Sequence, residues 1–260
     1  MADIVIGSGP SGVSAAKALL ARGRSVVMLD GGKTLEDQAE AAKSEFAEIG
    51  PDAWSPDQRA AYQAPQFATP AGQARRFGSD FAMEPAASTL APDQDWLGLR
   101  ASHAVGGLSN LWGSAILPNR QSDITDWPIT IDDLSPHYAS VAEFMPVSAK
   151  SDDLADLFPG YSVADRASIP PSPQAAALIK RLDHSKRSLP ASFHYGASRV
   201  AVSAACKRCA MCLHGCPWNL IYSASHTLDA MRGQTGFEYR PGTFIESFEE
   251  TADGVSLVTQ

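Results

Sequence analysis

The residues near the start of the chain that could do chemistry are Gly7-Ser8-Gly9-Pro10-Ser11-Gly12, set between two short apolar runs, and Asp30, which lies 18 residues past Gly12. Each residue type has a physical task in binding a dinucleotide. Gly7 permits a tight turn, Gly9 lets a pyrophosphate approach the backbone, and Gly12 lets a helix pack closely on a strand. The free N–H groups and the dipole of a helix N-terminus favour the phosphates. An acid at the end of the second strand accepts from ribose hydroxyls. The pattern predicts an ADP-containing dinucleotide held by Gly7, Ser8, Gly9, Pro10, Ser11, Gly12 and Asp30; the alternative is a glycine turn that binds no phosphate.

A second constellation contains every cysteine of the chain, Cys206, Cys209, Cys212 and Cys216, in the spacing C-x2-C-x2-C-x3-C-P. This is the run by which bacterial ferredoxins ligate iron–sulfur clusters through thiolates. Zinc sites usually separate two close pairs by a longer spacer, which is missing here, and disulfides do not suit a chain that otherwise reads as cytoplasmic. Zinc, or thiols with a structural role, remain the alternatives. In two-cluster ferredoxins the fourth cysteine of the run serves the other cluster. With no second run, either Cys216 returns to the same 4Fe-4S cluster or three cysteines hold a 3Fe-4S cluster. Lys207 and Arg208 would offset part of the thiolate charge.

A third stretch runs from Ser102 to Ala115 and carries Gly106, Gly107 and Gly113 among small polar residues, followed by Asp126-Trp127-Pro128. Glycines in such a loop let the backbone come close to a flat ligand and offer it N–H groups. Placed after a dinucleotide finger, this stretch resembles the flavin-contacting loop of the glucose-methanol-choline (GMC) oxidoreductases. Asp126-Trp127-Pro128-Ile129, leading to Leu134 and Tyr138, is similar to the same family.

These motifs need elements to position them. Ile4-Val5-Ile6 reads as a strand, Val13, Ala16, Leu19 and Leu20 recur at helical spacing, Gly23 closes that helix, and Ser25 to Leu29 reads as the second strand. Further helices are expected over Leu35–Ile49, Ile131–Phe144, Ala175–Leu182 and Ile221–Met231, with Thr130 and Asp133 as a capping box. Strands are expected near Ser192 and over Phe237–Arg240, Thr243–Glu249 and Gly254–Thr259. Pro170 to Pro173 reads as a stiff connector. Residues 31 to 101 are too long for an ordinary connection, and read as a lid over the nucleotide domain or as a solvent-facing insertion.

The chain has 260 residues, 44% hydrophobic and 19% charged, enough to bury a real core as one large or two small domains. A formal charge of −8 without a basic stripe argues against nucleic acid. No apolar run approaches a membrane span, and no basic segment precedes the first strand. The expectation is a cytoplasmic chain, with export alongside a partner left open.

The GMC resemblance spans roughly residues 3 to 145 and implies an α/β fold: a Rossmann-like FAD-binding domain with a three-layer β-β-α character, plus the start of a substrate domain. It places the FAD-binding domain at 1–145 with 31–101 as an excursion, a partial substrate and cluster region at 146–235, and strands returning to the FAD domain at 236–260. It implies FAD rather than NAD, contacted also by Gly106, Gly107, Ser109, Asn110, Trp112 and Gly113. Many family members carry Asn at the position of Trp112. A Trp there looks like the pyranose-oxidase branch, whose preceding His links the flavin, but Leu111 stands at that place and implies no covalent bond there.

The resemblance further implies oxidation of an alcohol or sugar hydroxyl by hydride transfer to flavin, with electrons leaving through the cluster to an acceptor protein or quinone. By the same resemblance the family's catalytic His would lie beyond Gln260, so the chain reads as the N-terminal half of a split or truncated enzyme, and if it is split a second chain carrying the C-terminal half is its partner. None of His103, His137, His184, His194, His214 or His226 has a motif context that makes it the base. The rival readings are a non-catalytic FAD and iron–sulfur subunit, and an NAD(P)H-using oxidoreductase.

Overall fold

The structure, a computed structural model, describes residues 2–63, 81–82, 102–158, 162, 166–212, 214–252 and 254–259. It is a mixed α/β chain that divides into two compact units. The first comprises Met1–Gly113, Cys209–Asn219 and Ser223–Gln260, and the second Ser114–Arg208 and Leu220–Tyr222.

In the first unit, β1 (Asp3–Ile6), α1 (Pro10–Ala21) and β2 (Val26–Leu29) follow one another, and β3 (Phe237–Arg240) joins them from the far end of the sequence. The sheet is parallel in the order β1-β2-β3, with Ile4 opposite Val27 and Val27 opposite Glu238. Val13 and Ala16 of α1 are buried, as are Val26 and Met28 of β2, and α1 packs on β1 and β2. On β1 the alternation is plain: Val5 is buried, while Ile4 and Ile6 are 48% and 53% exposed. The helix closes as expected: Gly23 has φ 72° and donates to Leu20 O.

Two further helices, α2 (Asp37–Ile49) and α3 (Pro56–Gln63), lie within the long segment after β2. The last carbonyls of α2 have no partner inside the helix. The indole Nε1 groups of Trp54 and Trp218 donate to Phe46 O and Ala47 O, and Gly50, at φ 80°, donates to Phe46 O as well. Near the end of the unit, α6 (Ala224–Met231) packs on α1, and β4 (Ile245–Thr251) pairs antiparallel with β5 (Gly254–Thr259).

The second unit holds α4 (Ile131–Phe144) and α5 (Pro173–Ser185). Thr130 caps α4 as expected, with Thr130 Oγ1 accepting from Asp133 N and Thr130 N donating to Asp133 Oδ2. Two expectations fail locally. Residues around Ser192 form a turn, Phe193 N donating to Pro190 O, because Pro190 removes a ladder donor there. The helix expected from Ile221 begins at Ala224: Ile221 is committed to a bridge with Val202, and Ser223 caps the helix. Among the described residues no helix is long and apolar enough to cross a membrane.

Candidate functional site

The glycine finger takes the conformation its spacing requires. Gly7 has φ 87°, and a Cβ on Gly12 would stand 1.9 Å from Gly7 O, so the turn and the close helix–strand approach both demand glycine. Gly9 differs: its φ is −64°, and a Cβ there would meet nothing within 4 Å. It stands at the N-cap of α1, which has no side-chain cap and no acidic residue in its first turn. Pro10 at the first helical position has no N–H to satisfy. The remaining first-turn N–H groups have no partner within the helix, an arrangement that can accept an anion.

Asp30 sits at the carboxyl end of β2, almost fully buried, and its carboxylate is fixed by donors from three sides. Oδ2 accepts from Ser8 N at 2.7 Å, and Oδ1 accepts from Gly32 N at 2.7 Å and from the Tyr239 hydroxyl at 3.2 Å. A carboxylate offers about four acceptor positions, so about one is unclaimed among the described residues. Burial, and then the Asp30 charge, push the Tyr239 phenol well above its usual range, so Tyr239 stays protonated and donating. The Arg232 guanidinium lies over the Tyr239 ring at 4.8 Å.

The structure brings the second glycine stretch onto this finger. Gly106 N donates to the buried Ser8 Oγ at 2.9 Å, and a Cβ on Gly107 would lie 3.4 Å from Gly9 Cα. Gly106 and Gly107 have φ of 84° and 57°, opening a short 3-10 turn over Gly107–Asn110. Ser109 Oγ donates to Gly106 O and accepts from Ala224 N, while Asn110 Nδ2 donates to Val105 O and Gly107 O. Gly7, Ser8, Gly9, Gly12, Asp30, Gly106, Gly107, Ser109 and Asn110 therefore share one region of the first unit. Pro10 and Ser11 are exposed on the first turn of α1, Trp112 is half-buried and Gly113 exposed.

Two contributors were not singled out in the sequence. Ser223, whose Oγ donates to Asn110 Oδ1, ties the cap of α6 to the second glycine loop; its signal is a Ser-Ala-Ser step before an apolar helical run. Tyr239 is the inward residue of the alternating strand Phe237–Arg240.

The cysteine run is placed differently. The boundary between the units falls between Arg208 and Cys209, so Cys206 belongs to the second unit and Cys209, Cys212 and Cys216 to the first. Cys212 is exposed and the other three are half-buried. Among the described residues no three His, Cys, Asp or Glu side chains are gathered into a metal-binding group. Arg208 and Ala210 hold left-handed φ of 54° and 62°, and Arg208 N donates to Cys206 Sγ at 3.4 Å.

Within the first unit, α2 and α3 clamp the loop that carries Cys209 to Cys216. Met211 is buried with Trp54 and Tyr62, and Cys209, Phe46 and Trp218 pack against them. Trp54 and Trp218 stack at 5.6 Å and 11°. The Tyr62 hydroxyl donates to Gly215 O at 3.0 Å, across 153 residues of sequence. Replacing Tyr62 by Phe leaves that buried carbonyl without this donor and is expected to cost about 1 kcal/mol, read as a lowered urea midpoint at an unchanged m-value.

No protein-family model matches the chain, and no curated protein is similar to it in sequence. Among solved structures it is similar to formate oxidase of Aspergillus oryzae RIB40, from a study of FAD modification, at 12% identity and a TM-score of 0.47, covering 99% of this chain and 42% of that one. It is also similar to pyridoxine 4-oxidase from Mesorbium loti, at 16% identity and a TM-score of 0.46, covering 100% of this chain and 48% of that one. The chain thus spans less than half the length of either.

Proposed function

We propose that this chain is the dinucleotide-binding part of an FAD-dependent oxidoreductase that oxidises an alcohol or sugar hydroxyl. The observation that carries the reading is Gly9. Its φ is open to any residue and its Cβ direction is empty, so the fold does not need glycine there; a phosphate lying against the backbone does. Gly7 and Gly12 shape the turn, the uncapped first turn of α1 offers N–H groups to the pyrophosphate, and Asp30 offers its remaining acceptor position to the ribose. Gly106 and Gly107, pressed against Ser8 and Gly9, form the second wall. The chemistry supplied by a bound flavin is hydride acceptance from the carbon bearing the hydroxyl; the residues described here bind and orient.

The cysteine run extends the proposal to an iron–sulfur cluster that passes electrons to an external acceptor. Its support is the donor set, four thiols in the C-x2-C-x2-C-x3-C spacing, with a backbone N–H already given to Cys206 Sγ.

Gly9→Ala separates fold from ligand. The variant is expected to keep the wild-type melting temperature without ligand and to bind FAD at least tenfold more weakly, as followed by flavin fluorescence. Unchanged affinity sinks the reading. An anaerobic absorption spectrum with iron and sulfide analysis tests the second part, the expected result being about three or four irons per chain. Flavin without iron leaves a simpler flavoprotein whose cysteines are structural or bind zinc.

A second reading, a cofactor-binding subunit that needs a partner chain for turnover, is favoured by β1. Among the described residues it is an edge strand of a parallel sheet, with Ile4 and Ile6 uncovered, although such sheets are usually covered on both faces. FAD bound by the chain without any turnover of alcohols or sugars with an artificial acceptor would favour this subunit; turnover by the chain by itself would exclude it.

A further inference from the structure

We infer that His103 and Phe244 form the seat for the adenine base of the bound nucleotide, so that His103 is a binding residue and not a catalytic base. The inference deepens the dinucleotide reading and rests on it.

Three observations converge beside Asp30. First, His103 is seated on the residue that follows it: a Cβ on Gly31 would lie 2.7 Å from His103 Cβ, so Gly31 is glycine because this segment crosses it. The crossing is fixed by backbone hydrogen bonds, Lys33 N donating to His103 O at 3.0 Å and Val105 N to Lys33 O at 2.9 Å. Second, Phe244 reaches the same place from the other side. Thr243 N donates to Asp30 O at 2.9 Å, and the next ring, Phe244, meets the His103 imidazole edge-on at a centroid distance of 4.7 Å and 68°. Third, both side chains are half-buried, and among the described residues the His103 ring nitrogens have no hydrogen-bond partner.

In open parallel sheets ligands bind outside the carboxyl ends of the strands, and the pair stands at that end of β2, immediately past the acid offered to the ribose. What lies next to the ribose on one side is the pyrophosphate, which the Gly7–Gly12 turn receives. What lies on the other side is the base. A purine has two apolar faces and an edge of alternating nitrogen donors and acceptors. A phenyl ring beside an imidazole with unclaimed nitrogens complements both. The same placement removes His103 from the far, reactive end of a dinucleotide, where a base would have to stand.

The test is calorimetric titration of the full chain with ADP and with inorganic pyrophosphate, for wild type, His103→Ala and Phe244→Ala, with circular dichroism as the check of folding. Loss of a base–aromatic contact is expected to weaken ADP binding about tenfold in each variant, while pyrophosphate binding, which engages only the glycine turn, stays as in wild type. His103→Leu and Phe244→Leu keep the bulk without the ring and replace the alanine variants if those misfold, with a loss of ADP affinity again expected. Variants that bind ADP as wild type does overturn the seat and leave the dinucleotide reading standing. An equal loss for ADP and pyrophosphate also overturns the seat, because the residues would then act through the turn. Wild type that binds no ADP sinks the dinucleotide reading and the seat together.

Discussion

Gly12→Ala is expected to lower the stability of the chain by about 3 kcal/mol and to abolish measurable FAD binding. The added Cβ would stand 1.9 Å from Gly7 O and 3.0 Å from Gly7 C, both backbone atoms that no rotamer change can move. Val5 Cγ1, 3.6 Å away, closes the remaining direction. Relief requires lifting the start of α1 off β1, which uncovers Val13 and Ala16 and pulls the first-turn N–H groups away from the Gly7–Gly9 backbone. For a chain of this size the loss amounts to roughly 6–12 °C in melting temperature. Calorimetry, followed by flavin release from the folded fraction, reads both effects. A variant within about 1 kcal/mol of wild type that retains flavin would show that the turn is more compliant than its geometry. Set beside Gly9→Ala, the pair assigns two glycines of one motif to different tasks, one to packing and one to the ligand.

The second large effect lies in the other unit. Arg199 is buried, and its guanidinium donates to Asp152 Oδ1 at 2.8 Å and to the carbonyls of Ala197 and Lys150. Asp152 also accepts from Ala197 N at 2.7 Å and Leu154 N at 3.1 Å. Arg199→Ala leaves a largely buried carboxylate without its cation and is expected to cost about 3–5 kcal/mol. Denaturant unfolding followed by circular dichroism measures it; a loss below about 1 kcal/mol would show that water replaces the guanidinium.

The pair also sets an acid limit. Burial pushes the Asp152 carboxyl up, and the Arg199 hydrogen bond with the two amides more than offsets this, so it titrates below its ordinary value. A carboxyl depressed in the folded state adds stability that is fully present above its unfolded value, about 3.9, and is lost as pH falls through the folded one. Wild type is therefore expected to lose this contribution only below about pH 4, and Asp152→Asn to flatten that part of the stability curve.

What could be read from the sequence was whatever depends on short-range spacing. The strand–turn–helix–strand of Asp3 to Leu29 follows from glycine positions and a helical apolar period, and the start of α4 from Thr130 and Asp133. Features set by distant partners were not readable. The structure gives Tyr239 its role through Asp30, across 209 residues of sequence. Nothing in the composition of residues 31 to 63 shows that Trp54 and Tyr62 hold Met211 and Gly215, because those contacts run across about 150 residues. Ser192 reads as a strand only if Pro190 is ignored. The cysteine spacing was plain, but the sequence could not show that a boundary between compact units falls inside it.

The late arrival of β3 has a consequence for synthesis. Val26 pairs with Phe237 and Leu29 with Arg240, so the central strand of the sheet stays half-paired until roughly two hundred further residues have been made. At the usual elongation rate of about 5–20 residues per second, that interval is on the order of 10 to 40 seconds. During it, Val26, Met28 and Leu29 line an open edge on the nascent chain, and long-range parallel pairing forms slowly even once its partner is present. The sheet that carries the acid and the glycine turn is thus completed only late in synthesis, and pauses in translation between Asp30 and Phe237 lengthen the exposure of its open edge.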